Sequence, residues 1–398
     1  MIKKEIDILI VGGGLTGATL SLALQGLGFS TLLVDAHPLS AKIAPDFDAR
    51  SLALSPATQR ILNMLGVWEH LKDEVTPIEL IHVSDQYHFG TSRLQGELNT
   101  PLGYVVEMQY INRALYQVLD AQHVLAPASV ESVDLANHCA VLKSEAGEIE
   151  VSARLIVAAD GAHSAMRRFC ELPAHIKQYD QQAIVANIGL AKPHKGRAYE
   201  RFTKHGPLAL LPMQDNKMSL VWAMPPKEAE QLMSLSDADF LRRLQQTFGY
   251  RLGRLTQAGK RSVFPLQQVL MSEQIKWPVV FVGNAAHTLH PVAGQGFNLG
   301  LRDVATLAQC IAKEGLNEAM LRHYVQLRAH DQKIITRFTD GLIHLFTSRL
   351  PGLGVARGLG LIALDNIPAL KNILARYARG FGGVTPDLVC EMALKEVK

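Results

Sequence analysis

Three clusters of glycine and polar residues carry the spacing that chemistry would need. In the first, Gly12-x-Gly14-x-x-Gly17 follows an apolar stretch at residues 6–11, and Leu15 and Thr16 lie inside the motif. Glycines at this spacing permit a tight turn at Gly12, close approach of a pyrophosphate at Gly14 and helix–strand packing at Gly17. The free N–H groups and positive dipole end of a following helix would complete an anion cradle. Asp35 stands 18 residues beyond Gly17, at the end of a second apolar run. A carboxylate there can hold a ribose hydroxyl, which favours a cofactor with a free 2′-hydroxyl over a 2′-phosphate. The second cluster is Asp160-Gly161, at the end of the run 153–159, with Ser164 and Arg167 just after it. The third runs from Gly283-Asn284 through His287, His290-Pro291 and Gly294-Gln295-Gly296-Phe297-Asn298 to Asp303.

The spacing also sets limits on what chemistry to expect. His287 and His290 are three residues apart, but no partnering carboxylate or cysteine cluster follows in the pattern, so packing or hydrogen bonding outweighs metal ligation. No G-x-S-x-G elbow marks a nucleophile. His205 and Tyr199 are conceivable bases, yet nothing in the sequence assigns one, and the catalytic base stays unnamed.

The elements that must position these clusters follow from hydrophobic patterning. Residues 6–11, 15–28 and 31–35 read as strand, helix and strand, a unit that opens a parallel sheet. Helices are expected near 55–66 and 110–121, and strands near 138–143 and 148–158. From about 180 short alternating stretches at 182–190, 198–203, 208–213 and 218–224 suggest a mostly antiparallel sheet inserted into the first domain. Residues 279–283 return to the buried-strand pattern, a helix follows from about 296, and the chain then reads as helical to about 380 with a Gly/Pro break at 351–360.

Composition narrows the class. The chain has 398 residues, 48% of them hydrophobic and only 19% charged, with a net charge of +3. A nucleic-acid surface or a disordered chain fits these values poorly. Four scattered cysteines, Cys139, Cys170, Cys310 and Cys390, suggest reduced packing residues rather than a disulfide framework. A membrane span needs about 18–20 consecutive apolar residues. The nearest candidate, Leu350 to Leu364, is interrupted by Arg357 and four glycines. With no signal-peptide pattern at the N-terminus, the expected location is cytoplasmic.

The three clusters, in this order and at this spacing, resemble those of the FAD-dependent aromatic hydroxylases, the p-hydroxybenzoate hydroxylase-like flavin monooxygenases. The stretch His290 to Asp303, the segment Gly196 to Pro212 and Phe47-Asp48-Ala49-Arg50 are similar to the branch that serves ubiquinone biosynthesis. The resemblance implies an α/β fold: a Rossmann-like FAD-binding domain, an inserted mostly antiparallel β-sheet substrate domain and C-terminal helices. The FAD-binding parts are expected at 1–75, 106–178 and 263–340, the substrate domain at 76–105 and 179–262, and the helical region at 341–398.

It also implies FAD contacts. Arg50, from the loop after the second strand, would reach the pyrophosphate, where a guanidinium offers fork geometry; the plainer reading is a surface residue beside Asp46 and Asp48. Gln109 would lie near the cofactor, as would Asp160 and Gly161. The family usually has Gly-Asp where this chain has Gly283-Asn284, so the ribityl contact loses its charge but keeps a carbonyl acceptor. Gly294, Gln295, Gly296, Phe297 and Asn298 would face the flavin pyrimidine edge, with Pro291 and His290 near the isoalloxazine ring. The implied chemistry is transfer of one oxygen of O2, through a flavin C4a-hydroperoxide, to the ring of a polyprenylated phenol, with 2-polyprenyl-6-methoxyphenol as the expected substrate. Electrons would come from NAD(P)H or another donor, for which a second dinucleotide motif is absent.

Alternatives are a sister hydroxylase acting at another ring position, a hydroxylase of a small soluble aromatic, an NAD-dependent dehydrogenase using the first motif alone, and a non-catalytic subunit that keeps FAD for structure. Expected partners are the phenol, other proteins of a ubiquinone-biosynthesis assembly and, through residues 341–380, the inner face of the membrane. That segment mixes Leu, Ile and Phe with Arg349, Arg357, Lys371, Arg376 and Arg379 against Asp365, which suits an anionic surface as well as ordinary core packing.

Overall fold

A computed structural model describes residues 2–39, 50–96, 100–290, 294–348 and 352–395. Pro291 and the Phe47-Asp48 segment lie outside the described residues.

The first sheet has eight strands. Its path runs β18 (Ile275–Lys276), β19 (Val279–Phe281), β11 (Gly147–Ala158), β1 (Ile2–Val11), β2 (Thr31–Val34) and β8 (Val124–Leu125), with β9 (Ala128–Asp134) and β10 (Cys139–Ser144) paired off β11. The central pairs β2–β1–β11–β19 are parallel. They are buried on both faces, which is why Ile8, Leu9, Ile10 and Val11 form an unbroken apolar run instead of alternating. Helices α1 (Leu15–Leu24), α3 (Met108–Val118) and α7 (Gln295–Glu314) pack over the Ile8, Ile10, Leu155 and Val157 side of this sheet. The 30-residue α8 (Glu318–Thr347) lies on α7.

The second sheet has nine strands in the order β20 (His287–Thr288), β17 (Ser262–Met271), β12 (Ala174–Leu190), β15 (Lys217–Met224), β14 (Pro207–Met213), β13 (Arg197–Phe202), β5 (Leu80–Asp85) and β6 (Thr91–Gln95), with β16 (Leu255–Ala258) paired to β12. Every pair but β13–β5 is antiparallel. The sheet reaches past the expected limits of 179 and 262, because Ala174 pairs with Met271 at the far end of the β12–β17 ladder. Its alternation is strict. Ile184, Ile188, Leu220, Trp222 and Leu208 point to one face, where α5 (Pro226–Met233) and α6 (Asp237–Phe248) seal them with Leu232, Phe240 and Phe248. The opposite face turns toward the first domain.

A three-stranded antiparallel sheet, β3 (Ser51–Leu54), β7 (Gly103–Glu107) and β4 (Thr76–Ile78), joins the two domains. So residues 76–105 divide: β5 and β6 belong to the second sheet, whereas β4 and β7 belong to the joining sheet. Helices α2 (Pro56–Met64), α4 (Ala165–Phe169), α9 (Leu353–Asn366) and α10 (Pro368–Ala378) complete the fold. Most of the 351–360 stretch expected as a break is helical from Leu353 onward.

Candidate active site

The glycine cluster sits where β1 hands over to α1. Gly12 has φ +107°, and a Cβ on it would meet the Ala159 carbonyl oxygen at 2.5 Å, so the first and second clusters touch through backbone that only glycine allows. A Cβ on Gly17 would likewise overlap the Gly12 carbonyl oxygen. Gly14 differs. It is exposed, and a Cβ there would meet nothing within 4 Å. It is the N-cap of α1, no side chain caps that end, and the first turn, with Leu15, Thr16 and Gly17, holds no acidic residue. An uncapped helix end beside open space is a ready anion site.

Asp35 braces this loop. Its carboxylate accepts hydrogen bonds from the Gly13 N–H at 2.6 Å and the His37 N–H at 2.8 Å. A carboxylate has about four lone-pair positions, so acceptor capacity for a hydroxyl remains. On the other side the Tyr116 hydroxyl of α3 donates to the Gly13 carbonyl at 3.2 Å. No motif pointed to Tyr116, whose only signal is its place on an amphipathic helix.

At the second cluster one Asp160 oxygen accepts from the Met166 N–H at 3.1 Å, while the other is buried without a hydrogen-bond partner. Gly161, at φ +80°, again faces open space. An orphaned carboxylate oxygen beside an open glycine is an acceptor in want of a donor. Ser164 caps α4 by accepting from the Arg167 N–H at 3.1 Å. Arg167 donates to the carbonyls of Ala162 and Ala285, the latter at 2.7 Å, and so ties the second cluster to the third.

The third cluster folds as a tight turn, a short strand and the start of α7. Gly283, at φ +57°, packs against Thr16, and Gly300 packs against Gly283, so α1 and α7 converge on one spot. Asn284 is exposed, with its carbonyl accepting from the Thr288 hydroxyl at 3.1 Å. Gly294 caps α7 in the left-handed region with no side-chain cap. Gln295, Gly296 and Phe297 form the helix's first turn, so a second uncapped N-terminus faces the same region. Asn298 behaves differently. Its amide accepts from the Ser55 N–H (2.7 Å) and Thr58 hydroxyl (2.8 Å) and donates to the Ala53 (2.9 Å) and Gly294 (2.8 Å) carbonyls, so it fastens this helix end to β3 and α2.

The two histidines part company. His287 is buried and hydrogen-bonds Asp303, so a carboxylate partner exists after all, one α7 places from 16 residues away. Burial by itself would raise the Asp303 pKa, but His287 and Arg328 (Nε to Oδ1, 2.7 Å) outweigh it and hold the carboxyl well below the usual range. Arg328, Asp331 and Arg302 extend the cluster between α7 and α8, with contacts of 2.8 and 2.9 Å to Asp331. His290 instead meets the ring of Tyr179 edge-on at 5.2 Å, and burial pushes its pKa down to about 4. It is a neutral imidazole at physiological pH.

Arg50 and Gln109 are brought close through the β3–β7 pair: the Arg50 carbonyl accepts from the Met108 N–H at 2.7 Å. The guanidinium lies over the Phe264 ring at 5.6 Å, facing the second sheet, and the Gln109 amide donates to Glu107 at 2.8 Å. Tyr199 and His205 do not reach this region. Tyr199 is packed under α6 against Phe248, and His205 pairs with Glu228 at 2.9 Å.

Two uncapped helix N-termini, a ribose-reaching carboxylate and an orphaned acceptor on one side of a parallel sheet, all facing an antiparallel sheet, fit FAD and define a flavin monooxygenase. The FAD binding domain family matches residues 5–339. Among solved structures, p-nitrophenol 4-monooxygenase PnpA from Pseudomonas putida superimposes with a TM-score of 0.77 at 17% identity, covering 96% of this chain and 99% of that one. Ubiquinone hydroxylase UbiL of Rhodospirillum rubrum is 36% identical over 96% of this chain and 92% of its own. The 3-demethoxyubiquinol 3-hydroxylase of Escherichia coli is 31% identical over 96% and 100%. The chain belongs to the FAD-dependent ubiquinone-biosynthesis hydroxylases.

Proposed function

We propose that this enzyme hydroxylates the ring of a polyprenylated phenol, converting 2-polyprenyl-6-methoxyphenol to 2-polyprenyl-6-methoxy-1,4-benzoquinol, with O2 as oxygen source and NAD(P)H or another donor as reductant. The observation that carries a bulky apolar substrate is the site-facing side of the second sheet. Val185, Ala209, Leu211 and Val221 are only half-buried there, beside Phe264 and Tyr179. FAD would sit with its pyrophosphate on Gly14 to Gly17, a ribose hydroxyl on Asp35, a hydroxyl donating to the orphaned Asp160 oxygen and its ring system at the start of α7. Bound there, FAD supplies the redox chemistry and oxygen activation. The protein orients the phenol against it and excludes water.

A second reading, hydroxylation at another ring position, is favoured by the Escherichia coli relative, whose name places its own reaction on demethoxyubiquinol. Loss of the gene product followed by identification of the accumulating precursor separates them. Accumulated 2-polyprenyl-6-methoxyphenol supports the first reading, and an accumulated demethoxyubiquinol supports the second.

The membrane face is also part of this proposal. No single helix is long and apolar enough to cross a membrane. Val355, Leu359, Ile362, Ile367, Leu370 and Ile373 nevertheless leave an exposed apolar ridge on α9 and α10, two helices that meet at 90°. The charges serve it less than the sequence suggested, since Arg357 turns inward to Asp85 at 2.8 Å. Because Leu361, Ile343 and Phe346 of the same region are core residues, truncation is a poor test. The double variant Ile362→Asp/Ile373→Asp should lose liposome co-sedimentation while keeping its fold. Unchanged co-sedimentation would remove the membrane from the proposal.

A further inference from the structure

Strand β13 presents its residues to opposite faces in turn. Tyr199 goes to the helix-covered face, as does Arg201, whose Nε donates to the Thr247 carbonyl of α6 at 3.0 Å. Ala198, Glu200 and Phe202 therefore point to the other face, toward the site. In register, Glu200 lies between Ala209 of β14 and Val83 of β5. Beyond Val83 come Phe202, Tyr179, Ile343 and Phe346, an apolar cluster joining the sheet to the end of α8. Tyr179 in turn touches His290. It reaches His290 because β12 bulges there: three residues, 179 to 181, stand against Leu266 alone.

In these surroundings the Glu200 Oε1 is buried and accepts no hydrogen bond. The other ionisable groups of this face already have partners. Asp85 is held by Arg357 (2.8 Å) and His88 (3.3 Å), and Lys217 lies between Glu107 and Asp215 at 3.6 and 3.5 Å. The Tyr179 hydroxyl donates to Asp340 at 3.0 Å, and Asp340 also takes Lys177 at 2.6 Å. Cavities of 310 and 510 Å³ open on either side of the Tyr179–Phe346 cluster, one lined by Tyr179 and Ile343 and the other by Asp85, Phe346 and Arg357.

We infer that Glu200 is the catalytic base of the hydroxylation, receiving the proton of the substrate's phenolic hydroxyl as the ring is attacked. The inference rests on the phenolic-substrate reading above and deepens it. A carboxylate left unpartnered on an otherwise apolar, substrate-facing surface is costly unless something arrives to hydrogen-bond it. A phenol hydroxyl is a donor of the right kind, and its apolar ring suits Val83, Ala209 and Val221. In the step, the phenolic O–H bond breaks, its electron pair stays with the oxygen and the proton passes to Glu200. The ring's electrons form the new C–O bond to one atom of O2, and the ring C–H proton is lost as aromaticity returns. The second oxygen atom leaves as water, with two electrons supplied by the reduced pyridine nucleotide. Separately, burial raises the Glu200 pKa to about 7, close to where a general base works best.

The test uses FAD-loaded full-length enzyme, wild type and Glu200→Gln, with 2-prenyl-6-methoxyphenol as probe and FAD absorbance and thermal melting as fold controls. Wild-type kcat/KM should rise with pH through about 7, and Glu200→Gln should lose about 100-fold or more together with that limb. Glu200→Asp, a shorter carboxylate, should restore part of the rate. Infrared difference spectra should show the carboxyl C=O band responding when the phenol binds to wild type and not to Glu200→Gln. A folded Glu200→Gln enzyme with the wild-type rate and pH profile would overturn the role of Glu200 and leave the phenol reading standing. If the wild type hydroxylates no prenylated phenol and no phenol moves its carboxyl band, both fall. A band that moves without hydroxylation keeps Glu200 as a phenol contact and overturns it as the base of this reaction.

Discussion

The two faces of the nine-stranded sheet come from the same strands and have opposite fates. On one, Ile184, Trp222, Leu208 and Tyr199 close against Phe240, Leu244 and Phe248 of α6, and nothing there is exposed by more than a few per cent. On the other, residues one position away, such as Val185, Val221, Ala209 and Glu200, stay half-buried around space that the protein does not fill. A strand has a side-chain period of two, so one β-strand can build a core with its even residues and a binding surface with its odd ones. Function here has been placed on the face that stability can spare.

Four measurements probe that division, from the largest expected effect to the smallest. Phe240→Ala, on the sealed face, should lower unfolding free energy by about 3–5 kcal/mol in urea titration, since it removes a fully buried ring. Activity per folded molecule should hold. Val221→Trp, on the open face, should cost no more than about 1–3 kcal/mol of stability, yet abolish phenol turnover as its indole fills the substrate's space. Equal stability losses at the two positions would show that the faces do not differ.

Glu200→Gln sharpens the contrast through pH. Glu200 binds its proton with a pKa of about 7 in the fold and near the ordinary 4.5 when unfolded. Between these values the native state holds one proton more, so stability falls as pH rises from 4.5 to 7 and stays lower above. Replacement by Gln should remove that slope, stabilising the protein at about pH 8 relative to wild type by up to about 3 kcal/mol in denaturant titrations. A wild-type profile flat across this window would mean that Glu200 is not enclosed as described. The smallest effect belongs to Gly14→Ala. Its φ of −65° and the open space around it accommodate a methyl group, so the melting temperature should not change. FAD retention on gel filtration should weaken by roughly tenfold, about 1.4 kcal/mol, if the pyrophosphate lies there.

Much of the dinucleotide half was legible beforehand, because its signals are local. Gly12, Gly14 and Gly17 announce a turn that only glycine can make, and Asp35 follows at the end of the next strand. The joining sheet was not legible: β3, β4 and β7 are short, and their pairing brings residues 51–54 to residues 103–107. Nor was the His287–Asp303 contact, although both residues stand in the same motif, since it depends on where α7 begins. Asn298 looked like a cofactor contact, but three of its four hydrogen bonds go to residues some 240 positions away.

By itself the sequence determined the class of this protein: three glycine clusters in order, each at the end of an apolar run, specify backbone conformations and a family without reference to anything distant. Only the tertiary structure decided which carboxylates matter. Asp303 is satisfied by His287 and Arg328, Asp35 is bound to its own loop, and Asp160 and Glu200 each keep a buried oxygen without a partner. Whether a polar group is paired depends on long-range packing, and an unpaired acceptor is the one with something left to bind.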